Sequence, residues 1–138
     1  MSSTTAASRD RGVLTIITLL LVVVTLAGAG LVVDGGRALT ARRHAANTAE
    51  GAARFAVSSQ SPLTQLDVAD AVANATSFAI RSGVGPTDIA VTVRYSADGT
   101  AEVVVTITER PTAVFLALGG ITTMSVHATG IARFVYSI

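Results

Sequence analysis

The dominant pattern in the chain is an apolar run over residues 13–33 that carries no charge, no Pro and no strong break. At about 1.5 Å per helical residue it reaches about 31 Å, the thickness of a bilayer's hydrocarbon core, and so predicts one transmembrane helix. The later apolar stretches, residues 89–93, 103–107 and 113–118, are strand-length or too short to cross again. Beyond the span, small residues recur four apart at Ala41, Ala45, Ala49 and Ala53. On a continuing helix they line up as a ridge with little side-chain bulk, a surface that another helix can approach closely. The approaching element is either a partner subunit's helix or the chain's own domain. In the first case the span and residues 34–58 form one long spine, bent at Gly28, Gly30, Gly35 and Gly36.

Ser59-Gln60-Ser61-Pro62 breaks that helix. Thr64 and Asp67 have the spacing of a helix N-terminal box, and Val68, Val72, Ala75, Phe78 and Ala79 follow a helical stripe up to a stop at Gly83. Ile89, Val91, Val93 and Tyr95 then alternate, Ser96-Ala97-Asp98-Gly99 forms a turn, and Val103, Val105 and Ile107 alternate again, which predicts a hairpin. Residues 111–118 read as a short helix ended by Gly119-Gly120, and residues 122–136 as a long last strand. The expected class is α+β: a single N-terminal transmembrane helix continuing into a long Ala-rich helix, then a small head of one helix and an antiparallel sheet of about three or four strands. The corresponding division is an N-terminal tail (1–12), the span (13–33), an Ala-rich spine (34–58) and a small α+β domain (59–138).

Composition narrows the function classes. A net charge of +1 with 14% charged residues, the basic ones scattered, gives no field suited to nucleic acid. Every basic residue is Arg and none is Lys, beside abundant Ala, Val, Thr and Gly, which reads as the codon bias of a GC-rich bacterium. Cys is absent, so disulfides, thiolate metal sites and cysteine nucleophiles are excluded.

Three fates of the N-terminus are open to the residues. The run serves as an uncleaved anchor, which is the expectation, or Ala27-Gly28-Ala29 is cut by signal peptidase, or the chain is cut after Gly12 in the manner of a type IV pilin leader. Ile17 stands where such a leader usually has Glu. Charge alone does not orient the span: Arg9 and Arg11 precede it, while Arg37, Arg42 and Arg43 follow it.

Arg11-Gly12, the span, Val33-Asp34-Gly35-Gly36-Arg37, then Ala41-Arg42-Arg43 and an Ala-rich continuation to Phe55-Ala56 resemble the N-terminal region of the TadE/TadG-like proteins of the tight-adherence (Flp) pilus apparatus. The residues that carry the resemblance most specifically are Val33, Asp34, Gly36, Arg37, Ala41, Arg42 and Arg43. The resemblance implies a minor pilin-like or pilus-assembly membrane protein, with the N-terminus in the cytoplasm and the C-terminal domain outside. It also implies other pilin-like or assembly proteins as partners, beside the membrane.

Little in the sequence points to catalysis. His44 and His127 are far apart and lack an adjacent carboxylate cluster, so no metal or cofactor is expected. Asp67, Asp70, Asp88, Asp98, Glu102 and Glu109 fall at helix starts, turns and strand positions expected to be exposed, and Asp34 and Arg37 are spaced to pair at the membrane exit. Gly35-Gly36 is too short to cradle a phosphate, Asn74-Ala75-Thr76 matches the glycosylation sequon by chance, and no nucleophile elbow or Ser-x-x-Lys motif occurs. The chain is expected not to be an enzyme and to act on no small molecule. Two functions follow: a pilin-like or assembly component acting through protein packing, or a membrane-tethered or secreted binding module whose spine is only a stalk.

Overall fold

The computed structural model describes residues 4–135, with side-chain surroundings from Gly12 onward. Met1 to Ser3 of the expected tail and Tyr136 of the expected last strand lie outside the described residues. The element order is α1 (Thr4–Ser58), α2 (Val68–Arg81), β1 (Ile89–Tyr95), β2 (Ala101–Glu109) and β3 (Val126–Phe134), with 3-10 turns at Pro86–Asp88 and Leu116–Gly119. The class is α+β, as expected: a long apolar N-terminal helix, a second small helix and a three-stranded antiparallel sheet in the order β1-β2-β3.

Helix α1 is one uninterrupted helix of 55 residues, so the glycines expected to bend it are absorbed into regular hydrogen bonding. Its buried positions, Gly30, Asp34, Ala41, Ala45, Thr48, Ala49, Ala52, Ala53 and Ala56, form a single stripe along one helix face. The lower half of that stripe is the floor of the head. Against it lie the inward side chains of β2, Val103, Val105 and Ile107, all fully buried, and Phe134 of β3. Helix α2 completes the cover with Ala71, Ala75 and Ala79, and the Phe55 and Phe78 rings meet with centroids 5.6 Å apart. Small residues on the helices let the sheet come close. At Gly130 of β3, a Cβ would stand 2.3 Å from the backbone carbon of Ala49, so strand and helix touch main chain to main chain.

Residues 41–56 therefore supply part of the head's core, and the head as a packed unit includes the spine. A boundary at residue 58 marks the end of a helix, since Ala45, Ala49, Ala53 and Ala56 share one cluster with the sheet.

The remaining elements follow their expected signals with three shifts, one of them at the last strand, expected over residues 122–136, which begins only at Val126 because Thr122, Thr123 and Met124 close the preceding loop. Helix α2 begins at Val68 rather than after Thr64, because Asp67 is the residue whose carboxylate accepts the free N–H groups of Ala69 (2.9 Å) and Asp70 (3.2 Å). The hairpin turn is as read, closed by Ser96 N–H to Thr100 O at 2.9 Å, with Gly99 at φ 81°. The expected helix at 111–118 is only the turn Leu116–Gly119, ended by Gly120 at φ 89°. The stretch 111–124 is a closed loop, pinned at its base by the Thr112–Thr123 bridge and by Met124 N–H to Pro111 O at 3.0 Å.

Candidate functional site

The residues expected to carry recognition separate into two groups in space. The ridge Ala41, Ala45, Ala49 and Ala53 lies in the chain's own interior, 8% exposed at Ala41 and fully buried at the other three, beneath the sheet and α2. Close approach is realised there, and the approaching elements are β3 and α2 of the same chain. The motif Val33-Asp34-Gly35-Gly36-Arg37 does something different. It grips the closed loop.

Asp34 is wholly buried and its carboxylate accepts three successive backbone N–H groups. Val114 donates to Oδ1 at 2.8 Å, while Phe115 (3.0 Å) and Leu116 (2.8 Å) donate to Oδ2. Three donors converging on one anion form a cradle of the kind that binds phosphates, here occupied by a side chain of the same molecule. The N–H of Val114, then that of Leu116, holds the Asp34 carboxyl below the ordinary carboxylate range, with Phe115 and the nearby Arg37 adding to the effect against the opposing cost of burial. Asp34 and Arg37 do not pair as their spacing suggested. The loop backbone occupies Asp34, and Arg37 donates to Thr112 Oγ1 at 3.4 Å, so both residues reach the same loop.

One turn below Asp34, Gly30 makes the steric half of the clasp. A Cβ there would fall 2.6 Å from Phe115 Cβ, so only glycine lets the Phe115 side chain lie flat on the helix. Val33, Gly35 and Gly36 are exposed, as are Arg42 and Arg43. Gly36 has open space where a Cβ would stand, so no contact in the described residues requires glycine at that position.

Several ionisable groups of the head are engaged with one another. Glu102, expected to be exposed, is 5% exposed and lies between Arg94 and Arg133, each donating from Nε at 2.8 Å across the register Arg94–Glu102–Arg133. Arg94, then Ser96 and Arg133, hold its carboxyl below the usual Glu range. His44 hydrogen-bonds Glu109, a carboxylate neighbour that sequence separation concealed, and Arg110 pairs with Asp88. These four line an open groove of about 310 Å³ beside Val84 and Pro111. Among the described residues no group of three or more His, Asp or Glu side chains is placed to hold a metal ion. The outer face of the sheet carries Thr92, Val104, Thr106, Thr129 and Ile131, with Thr106 and Thr129 bonded at 3.1 Å.

The architecture is thus a small α+β head clasped onto the end of a helix long and apolar enough to cross a membrane. Residues 12–59 match the model of the family described as "Putative Flp pilus-assembly TadE/G-like". That segment is similar to the TadE/G-like family, and it contains the long apolar helix, the Asp34 clasp and the helical floor of the head. Together the match and the apolar helix support a membrane component associated with the Flp pilus. No curated protein matches the chain, and no solved structure does.

Proposed function

We propose that the protein is an assembly component of a tight-adherence (Flp) pilus apparatus, anchored by residues 13–33 with its N-terminus cytoplasmic and its head outside, and acting by packing against other proteins of the apparatus rather than by catalysis. The observation that carries the reading is the family match over 12–59, which coincides with the elements joining head to anchor. With the Ala ridge occupied inside the head, the surfaces left for partners are the uncovered sides of α1, where Leu31, Val32 and Leu39 are exposed, and the open face of the sheet. Deleting the gene in its host and scoring surface Flp filaments by shearing and electron microscopy tests the role. Loss of filaments, restored by the wild-type gene, is expected; unchanged filaments would overturn it.

The second reading, a tethered binding module, is favoured by that same ridge. A small-residue surface needed for subunit packing argued for assembly, and its use within the chain leaves a stalk equally able to carry the head. Unchanged filaments in the deletion strain would make this the better account.

A further inference from the structure

The clasp fixes the depth of the loop. Phe115 rests on Gly30, three residues inside the end of the apolar run, which places that contact about 4.5 Å below the boundary of the hydrocarbon core if residues 13–33 span it. From Ala113 to Ile121 the loop is apolar or glycine throughout, Ala-Val-Phe-Leu-Ala-Leu-Gly-Gly-Ile. Its large side chains point outward: Leu118 is 88% exposed, Ile121 52% and Val114 46%. Charged residues occur just outside it, with Arg110 before the loop and Arg37 at Thr112.

Most of the loop's N–H groups are engaged by acceptors within the protein. Asp34 takes the N–H groups of Val114, Phe115 and Leu116. Ala113 donates to Thr122 O, Leu118 to Phe115 O, Gly120 to Ala117 O and Ile121 to Leu116 O, all at 2.9–3.1 Å. Irregular backbone is tolerated at membrane depth only when its polar groups are satisfied by protein, and an exposed Leu and Ile on such a loop fit lipid better than water.

We infer that residues 113–121 form a membrane-dipping loop, inserted into the interface of the bilayer leaflet where α1 emerges, with Val114, Leu118 and Ile121 among the acyl chains. The head is then held to the membrane at two points, the anchor and this loop, with Asp34 buried between them. A bound loop also fixes how the head tilts on the surface, because a helix alone leaves rotation about its axis free. The inference rests on residues 13–33 being a membrane span.

The chain has no cysteine, so single cysteines carrying an NBD fluorophore report environment one position at a time. The full-length protein is reconstituted in phosphatidylethanolamine–phosphatidylglycerol vesicles, with and without 5-doxyl or 12-doxyl phosphatidylcholine, after L118C, L20C or A97C labelling. Leu20 lies in the span and Ala97 at the hairpin tip. The expected result is blue-shifted emission at position 118 that 5-doxyl lipid quenches several-fold more strongly than it quenches position 97, while position 20 is quenched best by the deeper 12-doxyl lipid. Quenching at 20 with none at 118 would overturn the loop inference and leave the anchor standing. Absence of quenching at 20 would sink the anchor reading itself. A blue shift at 118 that lipid does not quench, and that fades as protein is diluted into more lipid, would assign the loop to contact with a second copy and overturn its insertion.

Discussion

The two halves of α1 are built on opposite plans. From Gly12 to Ala29 every residue is exposed, and the exposed side chains are large: Leu20 is 63% exposed and Val24 61%. From Ala41 to Ala56 the buried side chains are nearly all alanine. One half thus offers bulk to its surroundings and buries nothing, while the other removes bulk so that a sheet can lie on its backbone. Apolar content separates them too, since Arg42, Arg43, Glu50 and Arg54 lie on the exposed side of the second half. Residue size separates a surface meant for lipid, which conforms to any shape, from one meant for protein, which must be matched atom for atom.

The comparison breaks most visibly where a large side chain is moved into the small half. Ala49→Leu should overpack the contact with Gly130 by about 3 kcal/mol or more, a large share of a small domain's stability, and unfold the head. Leu20→Ala in the other half should leave the head's thermal melt unchanged. Circular dichroism melts of the two variants in detergent check this; equal melts would mean that the sheet does not rest on α1.

Next in size is the clasp that joins the halves. Asp34→Ala orphans three loop N–H groups, and their amide hydrogen exchange should accelerate by orders of magnitude while exchange in β2 is unaffected. Asp34→Asn, which keeps the acceptor shape and loses the charge, should fall between. Gly30→Val should displace Phe115 with Asp34 still in place, giving faster exchange at Phe115 than at Val114.

The smallest expected effect is acid sensitivity of the head alone. Because its arginine neighbours hold the Glu102 carboxyl below the ordinary value of 4.5, its contribution is fully present above that value and is lost as pH falls through the lower, folded one. Melting temperature should therefore drop more steeply below about pH 4.5 in the wild type than in Glu102→Gln, with little difference at neutral pH. A parallel pH profile for the two proteins would show that the Arg94–Glu102–Arg133 ladder carries no linkage.

Much of this fold was legible because its signals are local. The long apolar helix announces itself by length, the hairpin by alternation and an Asp-Gly turn, and α2 by its stripe, although its cap is Asp67 rather than Thr64. The clasp was not legible, because Asp34 and the N–H groups it accepts lie far apart in the chain and neither end shows an unmet need by itself. Glu102 was read as exposed for a related reason: an alternating strand tells which face a residue takes, but not that arginines flank it on both neighbouring strands. The ridge was found and its occupant left open, since small-residue spacing specifies close approach without naming what approaches. An apolar loop between Pro111 and Gly120 resembles a short helix in composition; Asp34 draws its first N–H groups away from any helical start.

The pairing of first and last elements also sets an order of events. The floor of the head is made early, at Ala45 to Ala56, but its lid is β3, the final strand, and Gly130 must reach Ala49 before the core closes. Contacts of such long range form slowly, so before β3 docks the strand that carries Val103, Val105 and Ile107 has one edge unpaired. A product truncated before residue 126 therefore lacks its closing strand, stays open to proteolysis and never presents a finished head.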